Sequence, residues 1–266
     1  MSTIKALSDL RGRTALITGG AGHLGFTMAE SLAEAGATVV LLDFDPQKTE
    51  QAILQLTERF GGSHHGLVVD LSDKSSIETV PEFLRSKDLD LSILINCAAL
   101  VGTSGLKGWA TPFEEQDIFT WEKALNVNLT GAFYLIQLCK PLMEMSQGAS
   151  IINISSIYGV AGQKMEMYEG LGYLTPAAYA ASKGGLVQLT RYLATVLAPS
   201  IRVNCISPGG IERGQDVGFQ QRYKKVTPLG RMGTEEDFKG VTLFLASDLS
   251  AYVTGQNIVV DGGWSL

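Results

Sequence analysis

The chain has 266 residues, 45% apolar and 18% charged, and a formal net charge of −6. This permits a full hydrophobic core in one large domain or two small ones. An acidic balance without a basic cluster argues against nucleic acid as the main partner, and no apolar run reaches the ~18 residues needed to span a bilayer.

Met1 to Arg11 lacks the apolar stretch of a secretory signal. Cys97, Cys139 and Cys205 lie in apolar contexts without metal-ligand spacing. A sparse, odd count fits a reducing cytoplasm, and all three read as small core residues. No metal site is expected. The elements then alternate. Thr14–Thr18 is a short apolar strand that runs into glycines, followed by a helix over Leu24–Ala35 that stops at Gly36. Thr38–Asp43 reads as a buried strand and Pro46–Phe60 as a helix opened by proline. Gly66–Asp70 is expected as the third strand, Lys74–Ser86 as the third helix and Leu91–Asn96 as the fourth strand. A long helix over roughly Trp121–Met145 precedes the strand Ser150–Ser155. A helix carrying Tyr179 runs to about Leu197; the strand Ile201–Ile206, a helix over Glu235–Ala246 and the strand Asn257–Val260 follow. Continuous Val/Ile/Leu strands separated by helices indicate an α/β, doubly wound parallel sheet with helices on both faces. No repeat, linker or low-complexity tract interrupts it, so residues 1–266 read as one domain. Such sheets bind ligands beyond the carboxyl ends of their strands.

The chemistry-bearing residues fall at those ends. Gly19, Gly22 and Gly25 form a turn between the first strand and a helix, with His23 and Leu24 inside it. Bare backbone there admits a pyrophosphate, which the helix N-terminus attracts. Asp43 ends the second strand eighteen residues after Gly25. A carboxylate there accepts from the ribose hydroxyls and repels a 2′-phosphate, so NAD is expected over NADP; neither Phe44 nor Asp45 supplies a compensating cation. Asp70 is placed either to bond the adenine edge or to cap its strand. His64 and His65 have no ligand partners and read as surface residues. Tyr179 and Lys183, four apart, share one helix face. A free tyrosine titrates near ~10; a neighbouring ammonium lowers that value and fits the phenol to exchange a proton with an alcohol oxygen.

Taken together, the glycine turn, Asn96-Cys-Ala-Ala99, Asn128-Leu-Thr-Gly131, Ser156, Tyr179-x-x-x-Lys183, Ser207-Pro-Gly209 and Asp261-Gly-Gly263 resemble the short-chain dehydrogenase/reductase family over nearly the whole chain. The resemblance implies a Rossmann-type domain with a seven-stranded parallel sheet in the order 3-2-1-4-5-6-7. It implies Tyr179 as acid/base, Lys183 as its modulator and holder of the nicotinamide ribose, Ser156 on the substrate oxygen, and Asn128 supporting a water-linked proton relay. Gly159, three residues past Ser156, favours that serine over Ser155. Leu71, Asn96, Ala98, Pro208, Gly209 and Ile211 join the cofactor set, and a homotetramer or homodimer through the two long helices is implied. The function implied is NAD-dependent interconversion of a secondary alcohol and a ketone.

Departures sharpen the reading. The spacing Gly19-x-x-Gly22-x-x-Gly25 is similar to that of nucleotide-sugar epimerases and dehydratases, which keeps transient oxidation as an alternative. The chain closes three residues after Gly263, so the large C-terminal domain of that branch is not expected. The threonine usual after the Pro-Gly motif is absent from Pro208–Arg213, which, with the insertions, leaves a non-catalytic NAD sensor as a further alternative. Two insertions, near 100–118 and 160–176, frame the substrate side, the second separating Ser156 from Tyr179 by twenty-three residues. Tyr158, Tyr168 and Tyr179 with Ser156 are the expected substrate contacts, and their hydroxyls suit a polar, carbohydrate-like molecule. The pattern with its Trp264-Ser-Leu266 ending resembles family members associated with bacterial surface-sugar or flagellin-glycan biosynthesis.

Overall fold

A computed structural model describes residues 2–101 and 104–266; Gly102 and Thr103 of the first insertion lie outside the described residues. Seven strands form one parallel sheet: β1 (Thr14–Thr18), β2 (Thr38–Asp43), β3 (His65–Val68), β4 (Leu91–Asn96), β5 (Ala149–Ile154), β6 (Ile201–Pro208) and β7 (Asn257–Val260). Their order is β3-β2-β1-β4-β5-β6-β7, as the resemblance implied. β1, β4 and β5 are buried along their whole length, so their continuous apolar runs reflect helices on both faces.

The helices are α1 (Ile4–Leu7), α2 (His23–Glu34), α3 (Pro46–Phe60), α4 (Lys74–Glu78), α5 (Val80–Ser86), α6 (Ile118–Leu125), α7 (Gly131–Met143), α8 (Ala177–Val196), α9 (Val217–Val226) and α10 (Lys239–Ala246). Two apolar cores flank the sheet. Leu16, Leu94, Leu135 and Ile151 centre one, and Ile17, Met28, Ile95 and Ile152 the other.

The structure corrects several expectations. The third strand ends at Val68, because Asp70 turns away to accept from the backbone N and hydroxyl of Ser72 (2.8 and 2.7 Å). The third helix divides into α4 and α5 around Thr79, ahead of Pro81, a residue that fits a first helical turn but not a helix interior. The long helix starts at Ile118, and Asn126–Thr130 forms a wide π-turn between α6 and α7. Glu235–Phe238 is a tight 3₁₀ turn ahead of α10. α1 and α9 were not anticipated. His64 is buried rather than on the surface: its Nδ1 accepts from the Val39 backbone N at 3.1 Å, joining the β3 approach to β2. Among the described residues no helix is long and apolar enough to cross a membrane.

Candidate active site

The strand order reverses between β2-β1 and β4-β5, and the cleft opens there, as the switch-point rule requires. It holds about 1420 Å³, more than one drug-sized ligand fills and enough for a dinucleotide beside a substrate. Thr18 at the end of β1 pins the floor, its Oγ1 accepting from the backbone N of Cys97 and of Ala98 (3.0 and 3.1 Å).

Gly19, Gly22, His23, Leu24 and Gly25 line one end of the cleft. Gly19 has φ +64°, and a Cβ on it would lie 2.9 Å from Ala98 Cα; on Gly25 a Cβ would lie 2.2 Å from the Gly19 carbonyl oxygen. The turn is therefore bare backbone at the N-terminus of α2, which fits a diphosphate. Asp43 Oδ2 accepts from Ala21 N at 3.2 Å, which holds the carboxylate beside that turn. Phe44, Asp70 and Leu71 line the same end. Lys48 does too, but it is paired with Asp45 at 3.4 Å.

The other end holds Ser156, Tyr179 and Lys183. β5 delivers Ser156, and α8 carries Tyr179 and Lys183 on one face. The two elements are stitched by Ser155 Oγ donating to the Lys183 carbonyl (2.7 Å) and Asn153 Nδ2 donating to Thr190 Oγ1 (2.9 Å). A Cβ at Gly159 would sit 2.5 Å from Ser155 Oγ and 2.7 Å from the Lys183 backbone, so glycine lets them meet. The N-cap of α8 is Pro176, which lacks a capping side chain; Gln116 of the first insertion supplies Oε1 to Ala177 N at 2.9 Å.

Lys183 is almost wholly buried, and its Nζ donates to the Ile154 carbonyl at 2.6 Å while lying 5.7 Å from the Tyr179 ring. Burial pulls its pKa down to about 8. Burial also raises the Tyr179 phenol, with the Ser156 hydroxyl and the field of Arg213 opposing. Desolvation of the phenol outweighs both, so the net direction is upward rather than the lowering expected from Lys183.

Two predicted residues are placed away from the cleft lining. Asn96 donates from Nδ2 to Asn153 Oδ1 (2.9 Å) beneath the floor. Asn128 is buried in the π-turn, where Oδ1 accepts from Leu100 N (2.7 Å) and Nδ2 donates to Ser182 Oγ (3.1 Å). Ala98, Pro208, Gly209 and Ile211 do line it.

The 160–176 insertion folds onto the substrate end. Met167 and Tyr168 are buried against Tyr223 of α9 and Trp264. Lys164 clamps the C-terminal segment, its Nζ donating to the Trp264 carbonyl (2.7 Å) and lying 4.4 Å from that ring. Tyr158, Tyr168 and Thr175 form a hydroxyl ladder with links of 2.6 Å each. Thr175, Gln215, Phe219, Tyr223 and Arg213 also line the cleft and were not anticipated as site residues; an Asp216 N-cap followed by apolar Val217, Tyr223 and Val226 was the signal for α9.

A family model described as Enoyl-(Acyl carrier protein) reductase matches residues 19–265. The 3-oxoacyl-(acyl-carrier-protein) reductase FabG of Aquifex aeolicus is 32% identical, over 96% of this chain and 98% of its own. A short-chain dehydrogenase from Leptospira borgpetersenii with bound NAD+ superposes with a TM-score of 0.84 at 34% identity, covering 100% of this chain and 97% of its own. A gluconate 5-dehydrogenase from Burkholderia cenocepacia, in complex with NADP and tartrate, gives a TM-score of 0.87 at 29% identity, covering 98% of both chains.

Proposed function

Because the chain belongs to the short-chain dehydrogenase/reductase family and is an NAD(P)-dependent oxidoreductase acting on CH–OH groups, we propose that it is a single-domain, NAD-preferring enzyme interconverting a secondary alcohol and a ketone on a polar, carbohydrate-like substrate. The observation that carries this is the convergence of Ser156, Tyr179 and Lys183 at one end of a cleft whose other end holds the bare glycine turn and Asp43.

When bound, the nicotinamide gives or takes the hydride. The chain's residues handle the proton. Tyr179 exchanges it with the substrate oxygen, and Ser156 donates to the same oxygen, helping to hold its developing charge. Lys183, seated on the Ile154 carbonyl beside the Tyr179 ring, holds the nicotinamide ribose in this reading. Asn128 contributes by holding the π-turn and the Leu100 backbone at the wall. Asn96 acts through Asn153, keeping the ends of β4 and β5 in place. We retain the relay through Asn128 and Lys183 as part of this reading.

Asp43 supports NAD. Asp43→Asn keeps an oxygen for Ala21 N but removes the charge facing a 2′-phosphate. Like-charge contact costs several kcal/mol, so the NAD/NADP ratio of kcat/KM is expected to fall about tenfold or more. A ratio that stays constant would remove Asp43 as the discriminator.

The Tyr158–Tyr168–Thr175 ladder supports a hydroxyl-rich substrate, since each hydroxyl both donates and accepts. In a panel of polyols, sugar acids and 3-hydroxyacyl thioesters with NAD, followed as NADH absorbance, a polyol or sugar acid is expected to lead; preference for the thioester would overturn the carbohydrate reading. Self-association as a homotetramer or homodimer rests on exposed apolar side chains of α6, α7 and α8, among them Phe119 (71%), Phe133 (42%) and Tyr192 (60%). The sparse free cysteines support a cytoplasmic setting.

A further inference from the structure

Arg213 lines the cleft, and the proton chemistry of Tyr179 and Ser156 does not use it as a ligand. Its backbone is held firmly. Ile211 bridges to Gly233 in parallel register, with Glu212 N donating to the Gly233 carbonyl and Gly233 N to the Gly210 carbonyl, both at 2.9 Å. Gln215 staples the loop: its Oε1 accepts from Arg213 N (2.8 Å) and its Nε2 donates to the Ile211 carbonyl (2.6 Å). Two residues beyond the bridge on each segment, Arg213 Nε donates to Glu235 Oε1 at 2.8 Å. This is a one-pronged contact from a side chain still 37% exposed.

Arg213 lines the same cleft as His23 of the glycine turn and Cys97 and Tyr179 of the other end. The field of Arg213 reaches Tyr179 and Cys97 at the nicotinamide end. Glu235 feels His23 at the glycine turn; burial pushes the Glu235 carboxyl up, but Arg213 and, more weakly, His23 leave it below its ordinary value. In a bound dinucleotide the diphosphate seated on the glycine turn leads from there toward the nicotinamide end. It carries two negative charges, and α2 offers a helix N-terminus of roughly half a charge. A guanidinium fork matches two phosphate oxygens, which its single bond to Glu235 does not exploit. An exposed ion pair is worth about 1 kcal/mol or less, so exchanging it is inexpensive.

We propose that Arg213 is a diphosphate ligand held in reserve by Glu235: when the dinucleotide binds, Arg213 leaves Glu235 and forks onto the diphosphate across from the N-terminus of α2. The inference rests on the dinucleotide reading of the cleft but not on the choice between NAD and NADP, nor on the substrate.

The test is calorimetric binding of ADP-ribose, which has the diphosphate, and of adenosine, which does not. Arg213→Gln is expected to weaken ADP-ribose roughly tenfold or more, the scale of a charge-assisted hydrogen bond, and to flatten its salt dependence, with adenosine unchanged. Glu235→Gln is expected to tighten ADP-ribose, because the competitor is gone. Arg213→Lys should recover part of the loss. Weakening by Glu235→Gln in parallel with Arg213→Gln would show a structural pair and overturn the proposal. So would unchanged ADP-ribose binding in Arg213→Gln, including the case where only KM for an anionic substrate rises. Wild-type protein that binds no ADP-ribose would instead sink the dinucleotide reading on which the inference stands.

Discussion

Tyr179→Phe is expected to lower turnover about a thousandfold while leaving dinucleotide affinity within a few-fold. Positioned general acid–base groups contribute about 10²–10⁴ in rate, or roughly 3–5 kcal/mol of barrier. The ring stays in place, since phenylalanine fills the same site on α8, and only the proton carrier is lost. The raised phenol adds a sign. In alcohol oxidation the phenolate must accept the proton. A pKa above the ordinary tyrosine value makes the phenolate scarce near neutrality, so kcat/KM for oxidation rises with pH. In ketone reduction the protonated phenol is the competent form, so that direction shows no alkaline rise over the same range. The Phe variant should lose the alkaline rise along with the rate. Initial rates in both directions across roughly pH 6.5 to 9.5 decide the matter. A variant that kept the rise would place the titrating group elsewhere, and one that kept full turnover would remove Tyr179 from the chemistry.

The parts of this site legible in the sequence are those set by short spacing. Gly19, Gly22 and Gly25 lie within a single turn, Tyr179 and Lys183 are one helical turn apart, and Asp43 closes a strand whose apolar run is plain; local geometry alone brings each set together. The parts that local spacing does not reveal depend on neighbours distant in the chain. His64 and Asn96 have ordinary local contexts. Only the pairing of β3 with β2 buries the first, and only the pairing of β4 with β5 gives the second Asn153 as a partner. Asn128 sits in a motif that announces a role but not where its side chain points, which the π-turn decides. Lys183 shows the limit most clearly. The spacing puts it beside Tyr179, yet the Ile154 carbonyl, from a strand 29 residues earlier, claims its ammonium. Arg213 was visible only as a missing threonine, because its partner Glu235 comes from the segment that pairs with it through the Ile211–Gly233 bridge.

The glycine turn offers the second large effect. Gly25→Val is expected to cut ADP-ribose affinity about a hundredfold or more. Any side chain at Gly25 starts with a Cβ 2.2 Å from the Gly19 carbonyl oxygen and 2.9 Å from its carbonyl carbon. These are backbone atoms, so no rotamer change relieves the clash, and the turn must open. Opening it pulls the Gly19–Gly22 backbone from the N-terminus of α2, where the Gly22 N to Gly19 carbonyl bond (3.0 Å) now closes it. Each backbone N–H lost from a charged ligand is worth about 1.5–3 kcal/mol, so one or two account for the hundredfold. Gly22→Ala provides the internal scale. Its Cβ would lie 3.2 Å from the same oxygen, a contact that a small shift of the turn accommodates, so the loss there should be several-fold at most. Gly25 is buried where α2 begins and α2 packs on the sheet, so thermal unfolding must be measured alongside binding. The expected order is Gly25→Val far below Gly22→Ala in affinity, with both cooperatively folded. Equal losses in the two variants would mean that the turn recognises its ligand by something other than the close approach of bare backbone.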